Sequence, residues 1–143
     1  MTFSAFINFS GNCREAVTFY AKVFNQDVPS FSTYGDMPSA DPNFSITDDM
    51  KKLVMYSSLN IGGTNVMFSD MPPGFKFIVG NNVTLVFGSK DKEEIQIVFS
   101  RLAEGGSVAC ELQETFYAAL YGMIVDKFGI TWQIIWEDGI VWK

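Results

Sequence analysis

The chain has 143 residues, 48% of them hydrophobic and 18% charged, with a net charge of -6. That balance suits one folded domain with its own core and excludes a disordered chain. The acidity makes a phosphate backbone a poor partner, so no nucleic-acid binding is expected, and no run of 18 apolar residues exists to span a membrane.

The N-terminal stretch "MTFSAFINFSG" has neither a basic n-region nor a long apolar h-region. It reads as the start of a cytoplasmic protein rather than a signal peptide. Phe3 to Phe9 alternate well enough for a strand. Asn12 then stands as a helix N-cap, with Glu15 three residues on to close a capping box. Ala16, Phe19, Tyr20, Val23 and Phe24 follow at helical spacing, which predicts a helix near 13–24. A short strand is expected near Val28 to Tyr34, then an irregular loop from Gly35 to Lys52, where prolines and polar residues cluster. "LVMYSSLNI" and "TNVMFSD" read as strands joined by Gly62-Gly63, a hairpin signal. Met71 to Asn82 has the composition of a connector.

The second half repeats the first. "NVTLVFGS" is a strand, and Asp91 caps a helix near 92–103 that carries Ile95, Val98, Phe99 and Leu102 on one face. "SVACELQ", "YGMIVD" and "ITWQIIW" complete the set. Each half is one βαβββ unit, roughly 1–76 and 77–143, so the expected class is α+β. Cys13 and Cys110 are too few for a disulfide scaffold and lack metal-ligand spacing, which leaves two reduced thiols.

These residues also carry a family resemblance. "FINFSGNCREAVTFYAKVF", "YGDMP", "VMYSSLNIGGTNVMFSDMPPG" and "RLAEGGSVACELQETFYAALYGMIVDKFGITWQI" resemble, in order, the PhnB-like branch of the vicinal oxygen chelate superfamily. That superfamily includes glyoxalase I, the bleomycin-resistance proteins and the extradiol dioxygenases. The resemblance implies a single domain of two βαβββ modules, 1–143, forming a cupped, half-open barrel. It implies subunits that pair as a homodimer, which the high aromatic content also favours. Catalytic members hold a divalent metal through His, Glu or Gln on the first and last strands of each module. The metal grips two neighbouring substrate oxygens as a Lewis acid. This chain departs from that pattern, for it contains no His. The strand residues that would face the cup are Ser4, Phe6 and Asn8 in the first half. In the second half Val83, Leu85 and Phe87 take those places, all apolar. No metal or other cofactor is therefore expected.

A pocket is expected where strands of both modules meet around one concavity. Asn8, Tyr56 and Met67 are drawn from the first, third and fourth strands, and Tyr34 from the segment before the loop. Gln113, Phe116, Tyr121 and Trp132 are drawn from the second module. Glu114 is the candidate acid, because a carboxylate among aromatic rings can act as a general base when no His competes. Two readings follow. One is a module that binds a small apolar or aromatic molecule without a catalytic metal. The other is a metal-assisted lyase, isomerase or dioxygenase with unusual ligands.

Overall fold

The chain builds one topology twice. The computed structural model describes residues 1–36, 46–72, 74–115 and 120–137. The first compact unit, Met1–Phe77, contains β1 (Phe6–Phe9), α1 (Cys13–Val23), β2 (Ser32–Thr33), a 3₁₀ turn (Tyr34–Asp36), α2 (Asp48–Lys51), β3 (Val54–Ile61) and β4 (Thr64–Asp70). The second, Ile78–Lys143, contains β5 (Thr84–Ser89), α3 (Lys92–Leu102), β6 (Ser107–Gln113), β7 (Leu120–Val125) and β8 (Thr131–Trp136). Their sheets are ordered β1-β4-β3-β2 and β5-β8-β7-β6, the same order in each module. The first strand of each sheet runs parallel to the last, and every other neighbour is antiparallel. Both sheets are open, and the α+β class expected from the repeat is what forms.

In the first module α1 buries Cys13, Ala16, Val17, Tyr20, Ala21 and Val23. The helical spacing of these side chains turns one apolar face onto the sheet. Phe68 lies between Tyr20 and Phe9, with ring centroids 5.8 Å and 6.4 Å away and both pairs stacked. Leu59 and Val66 extend this core along the β3–β4 hairpin.

The start of α1 differs from the expectation. Asn12 makes no side-chain capping bond, so the capping box with Glu15 does not form. The first helical N–H, that of Cys13, instead donates to Asp70 Oδ1 at 2.9 Å, 57 residues away. The other carboxylate oxygen of Asp70 accepts from the N–H of Val54 at 2.9 Å. Asp70 is 2% exposed. A buried carboxylate at a helix N-terminus satisfies an orphan donor and meets the positive end of the helix dipole. A tertiary acceptor has displaced the local one.

Two further differences lie before β3. The strand expected over Val28 to Tyr34 is confined to Ser32–Thr33, and the 3₁₀ turn follows at once. The expected loop contains α2, started by Thr47, whose hydroxyl accepts from the N–H of Met50.

In the second module Asp91 does cap its helix, accepting from the N–H groups of Glu93 and Glu94. Ile95, Val98, Phe99 and Leu102 are buried, as their spacing predicts. Gly122 lets α3 sit close, because a methyl group there would stand 2.5 Å from Phe99 Cε2. The β7–β8 turn is held by a second buried carboxylate. Asp126 accepts from the N–H groups of Phe128 and Ile130 and from the indole N–H of Trp132.

Asp70→Asn places an amide N–H against one of two buried donors, and it should cost about 3 kcal/mol of unfolding free energy. Urea titration of the variant beside wild type measures this. Burial, reinforced by the Asp70 carboxylate, pushes the Cys13 thiol from its ordinary 9.0 up to about 12. The folded state thus holds this proton more tightly, and the stability it contributes is present below pH 9.0 and lost as the pH climbs towards 12. Urea midpoints across that range should fall less steeply in Cys13→Ala than in wild type. In native protein at neutral pH, mass spectrometry after iodoacetamide treatment should find Cys110 modified and buried Cys13 untouched.

Candidate functional site

Alternation along the strands sorts each sheet into a face under its helix and a face away from it. In the first module Phe68 and its β1 partner Ile7 lie on the α1 side, since Tyr20 of α1 stacks on Phe68. The neighbouring pairs, Phe6 with Met67 and Asn8 with Ser69, therefore occupy the opposite face, together with Ser58 across from Met67. Tyr56 joins them. Its ring lies 6.5 Å from that of Phe6, tilted by 56°. Phe6 remains 48% exposed and Tyr56 39%. The Ser69 hydroxyl donates to Asn8 Oδ1 at 2.7 Å. The α1-distal face thus brings together three of the expected site residues, Asn8, Tyr56 and Met67.

Tyr34 has a different role. Its hydroxyl donates to the backbone carbonyl of Asp70 at 2.9 Å. Burial, with Asp70 and Cys13 nearby, raises its pKa, so the phenol stays neutral and acts as a donor. It ties the 3₁₀ turn to the end of β4.

In the second module Gly122 and its partner Ile134 lie on the α3 side, as does the pair Ile124 and Trp132. Trp132 is 2% exposed, and its indole N–H is taken by Asp126 at 2.9 Å. It is a core residue under α3, not part of an open face. Leu85 and Phe87 pair with Trp132 and Ile134 and share that side, so the expected order of β5 is reversed. The α3-distal face carries Thr84, Val86 and Gly88 instead. Beside them on that face lie Gln133, Ile135, Met123 and Tyr121. The Glu137 side chain lies over Gly88, in the space a Cβ would take. Gln113 pairs with Tyr121 across β6 and β7, and its amide donates to Cys110 Sγ at 3.0 Å. Glu114 is exposed just beyond β6. Phe116 lies outside the described residues.

The donor set does not fit the divalent metal that the resemblance implies. No His exists in the chain. Among the described residues no group of three or more His, Cys, Asp or Glu converges. The two carboxylates buried among the described residues, Asp70 and Asp126, already accept from N–H donors of their own module. A first-row metal needs imidazole, carboxylate or thiolate donors converging from separate strands.

Residues 1–135 match the family model described as 3-demethylubiquinone-9 3-methyltransferase. The chain is similar to protein PA1353 from Pseudomonas aeruginosa, with 30% identity, a TM-score of 0.82 and coverage of 94% of this chain and 96% of that one. It is also similar to a putative 3-demethylubiquinone-9 3-methyltransferase, PhnB protein, from Bacillus cereus. That match has 26% identity and a TM-score of 0.70, and covers 94% of this chain and 98% of the other. The fold alone recurs in a glyoxalase/bleomycin resistance protein/dioxygenase family enzyme from Burkholderia phytofirmans, at 17% identity, a TM-score of 0.57 and coverage of 92% and 94%. Topology and sequence agree: the chain belongs to the PhnB-like family described as 3-demethylubiquinone-9 3-methyltransferase, and it shares its fold with a glyoxalase/bleomycin resistance protein/dioxygenase family enzyme.

Proposed function

We propose that this protein binds a small apolar or aromatic molecule without a resident catalytic metal. The observation that carries the reading is the α1-distal face of the first module. Two aromatic rings, Phe6 and Tyr56, stand half exposed there beside Met67 and the polar pair Asn8 and Ser69. Exposed aromatic area with a few placed polar groups is what a small-ligand site offers. The methyltransferase description of the family finds no support in the two turns that lead from strand to helix. Ser10-Gly11-Asn12 and Lys90-Asp91 lack the Gly-x-Gly-x-x-Gly pattern that cradles a nucleotide-like cofactor. Glu114, exposed beyond β6, is the acid on which any proton transfer would rest.

The same reading makes the protein a cytoplasmic homodimer. Phe75, Phe77, Ile78 and Val79 of the connector are all exposed, and a second copy would cover such apolar area.

Two measurements test these statements. Nile red should bind purified, metal-free protein saturably. Phe6→Ala and Tyr56→Ala should each weaken it about tenfold, as the loss of an aromatic anchor does, while Gln96→Ala on the outer side of α3 leaves it unchanged. Stoichiometric zinc, nickel, manganese or iron in the purified protein would defeat the metal-free reading. Light scattering at micromolar concentration should give the mass of a dimer, and a monomer mass counts against the assembly.

A further inference from the structure

We infer that the compound held on the α1-distal face is uncharged and carries a hydrogen-bond acceptor next to an aromatic ring. This deepens the binding reading above and rests on it. Strand register puts Asn60 and Asn65 on the same face as Asn8, Ser58, Met67 and Ser69. With Phe6 and Tyr56 the face is aromatic, amide, hydroxyl and thioether, and none of these positions holds Asp, Glu, Lys, Arg or His. A charged group that settles against these half-exposed rings gives up part of its hydration, and no side chain at these positions carries a charge to replace it. A neutral ligand avoids that cost.

The rings narrow the shape. Their planes differ by 56° at a centroid distance of 6.5 Å, so no flat molecule lies parallel to both. A planar ligand stacks on one ring and meets the other edge-on, the arrangement that aromatic quadrupoles favour. The polar pair narrows the chemistry. Asn8 Oδ1 is engaged by the Ser69 hydroxyl, so the amide presents its N–H donors to an incoming molecule. The partner that suits those donors is a carbonyl or ether oxygen on the ligand.

The test uses three probes of similar size and the whole protein: acetylnaphthalene, naphthoate and naphthylmethylammonium, each titrated by fluorescence. The neutral ketone should bind at least about tenfold tighter than either ion, the margin set by partly desolvating an unpaired charge. Asn8→Ala should remove most of that margin. Asn8→Asp keeps an acceptor for Ser69 but adds a negative charge, and it should bring the ammonium probe ahead of the ketone. If either ion binds wild type as tightly as the ketone, the inference fails while the binding reading stands. If none of the three binds, or if binding ignores both Phe6→Ala and Tyr56→Ala, the binding reading itself fails and takes the inference with it. An affinity for the ketone that falls as protein concentration rises would assign the face to a second copy of the chain and overturn the inference.

Discussion

Asp70 places a carboxylate inside the first module, and two backbone N–H groups converge on it from different elements. One belongs to the first residue of α1 and the other to the first residue of β3. The carboxylate therefore sets where the helix starts relative to the sheet. The Tyr34 hydroxyl, bound to the carbonyl of the same residue, sets where the 3₁₀ turn sits. With α1 pinned at that end, its apolar face closes over Phe68, and the opposite sheet face is left to other partners. A charge so placed costs solvation, and it persists only because charge-assisted bonds from backbone donors compensate.

The second module answers the same need differently. Its helix takes a local cap from Asp91, and its buried carboxylate, Asp126, serves a turn and an indole instead. The two acids buried deepest among the described residues are thus both committed to holding the geometry of their own module. Fold and chemistry separate readily, because function resides in the groups grafted onto a scaffold.

Much of this architecture is legible in the order of residues. The helices end within a residue of where their periodicity stops, and the Gly62-Gly63 hairpin forms where its turn signal stands. Such features are local, and local pattern suffices for them. What was not legible depends on distant partners. Asn12 looks like a cap because nothing nearby shows that Asp70 will arrive first. β5 gave no reliable alternation, since Val83, Leu85, Val86 and Phe87 are all apolar and only pairing with β8 decides which face the helix covers. Trp132 reads as a pocket residue until Asp126 takes its N–H. The short helix α2 did have a signal, Thr47 followed by two acids, but the surrounding prolines masked it. Of the candidate site, Asn8, Tyr56 and Met67 share a face through simple alternation. The exposure of Phe6 beside them is a property of the folded sheet.

The two carboxylate clasps also differ in how far apart along the chain their partners stand. Asp126 and Trp132 are six residues apart, so that clasp closes as soon as the β7–β8 turn does. Asp70 and Cys13 are separated by 57 residues, and β1 pairs with β4 across a slightly longer span. Loop-closure entropy makes the long-range contact the slower one to form. During synthesis the first module therefore waits: its helix can gain turns early, but the helix start and the parallel strand pair stay open until Asp70 has left the ribosome. The N-terminal half of the chain is thus the part that a chaperone would meet with its apolar surface uncovered for longest.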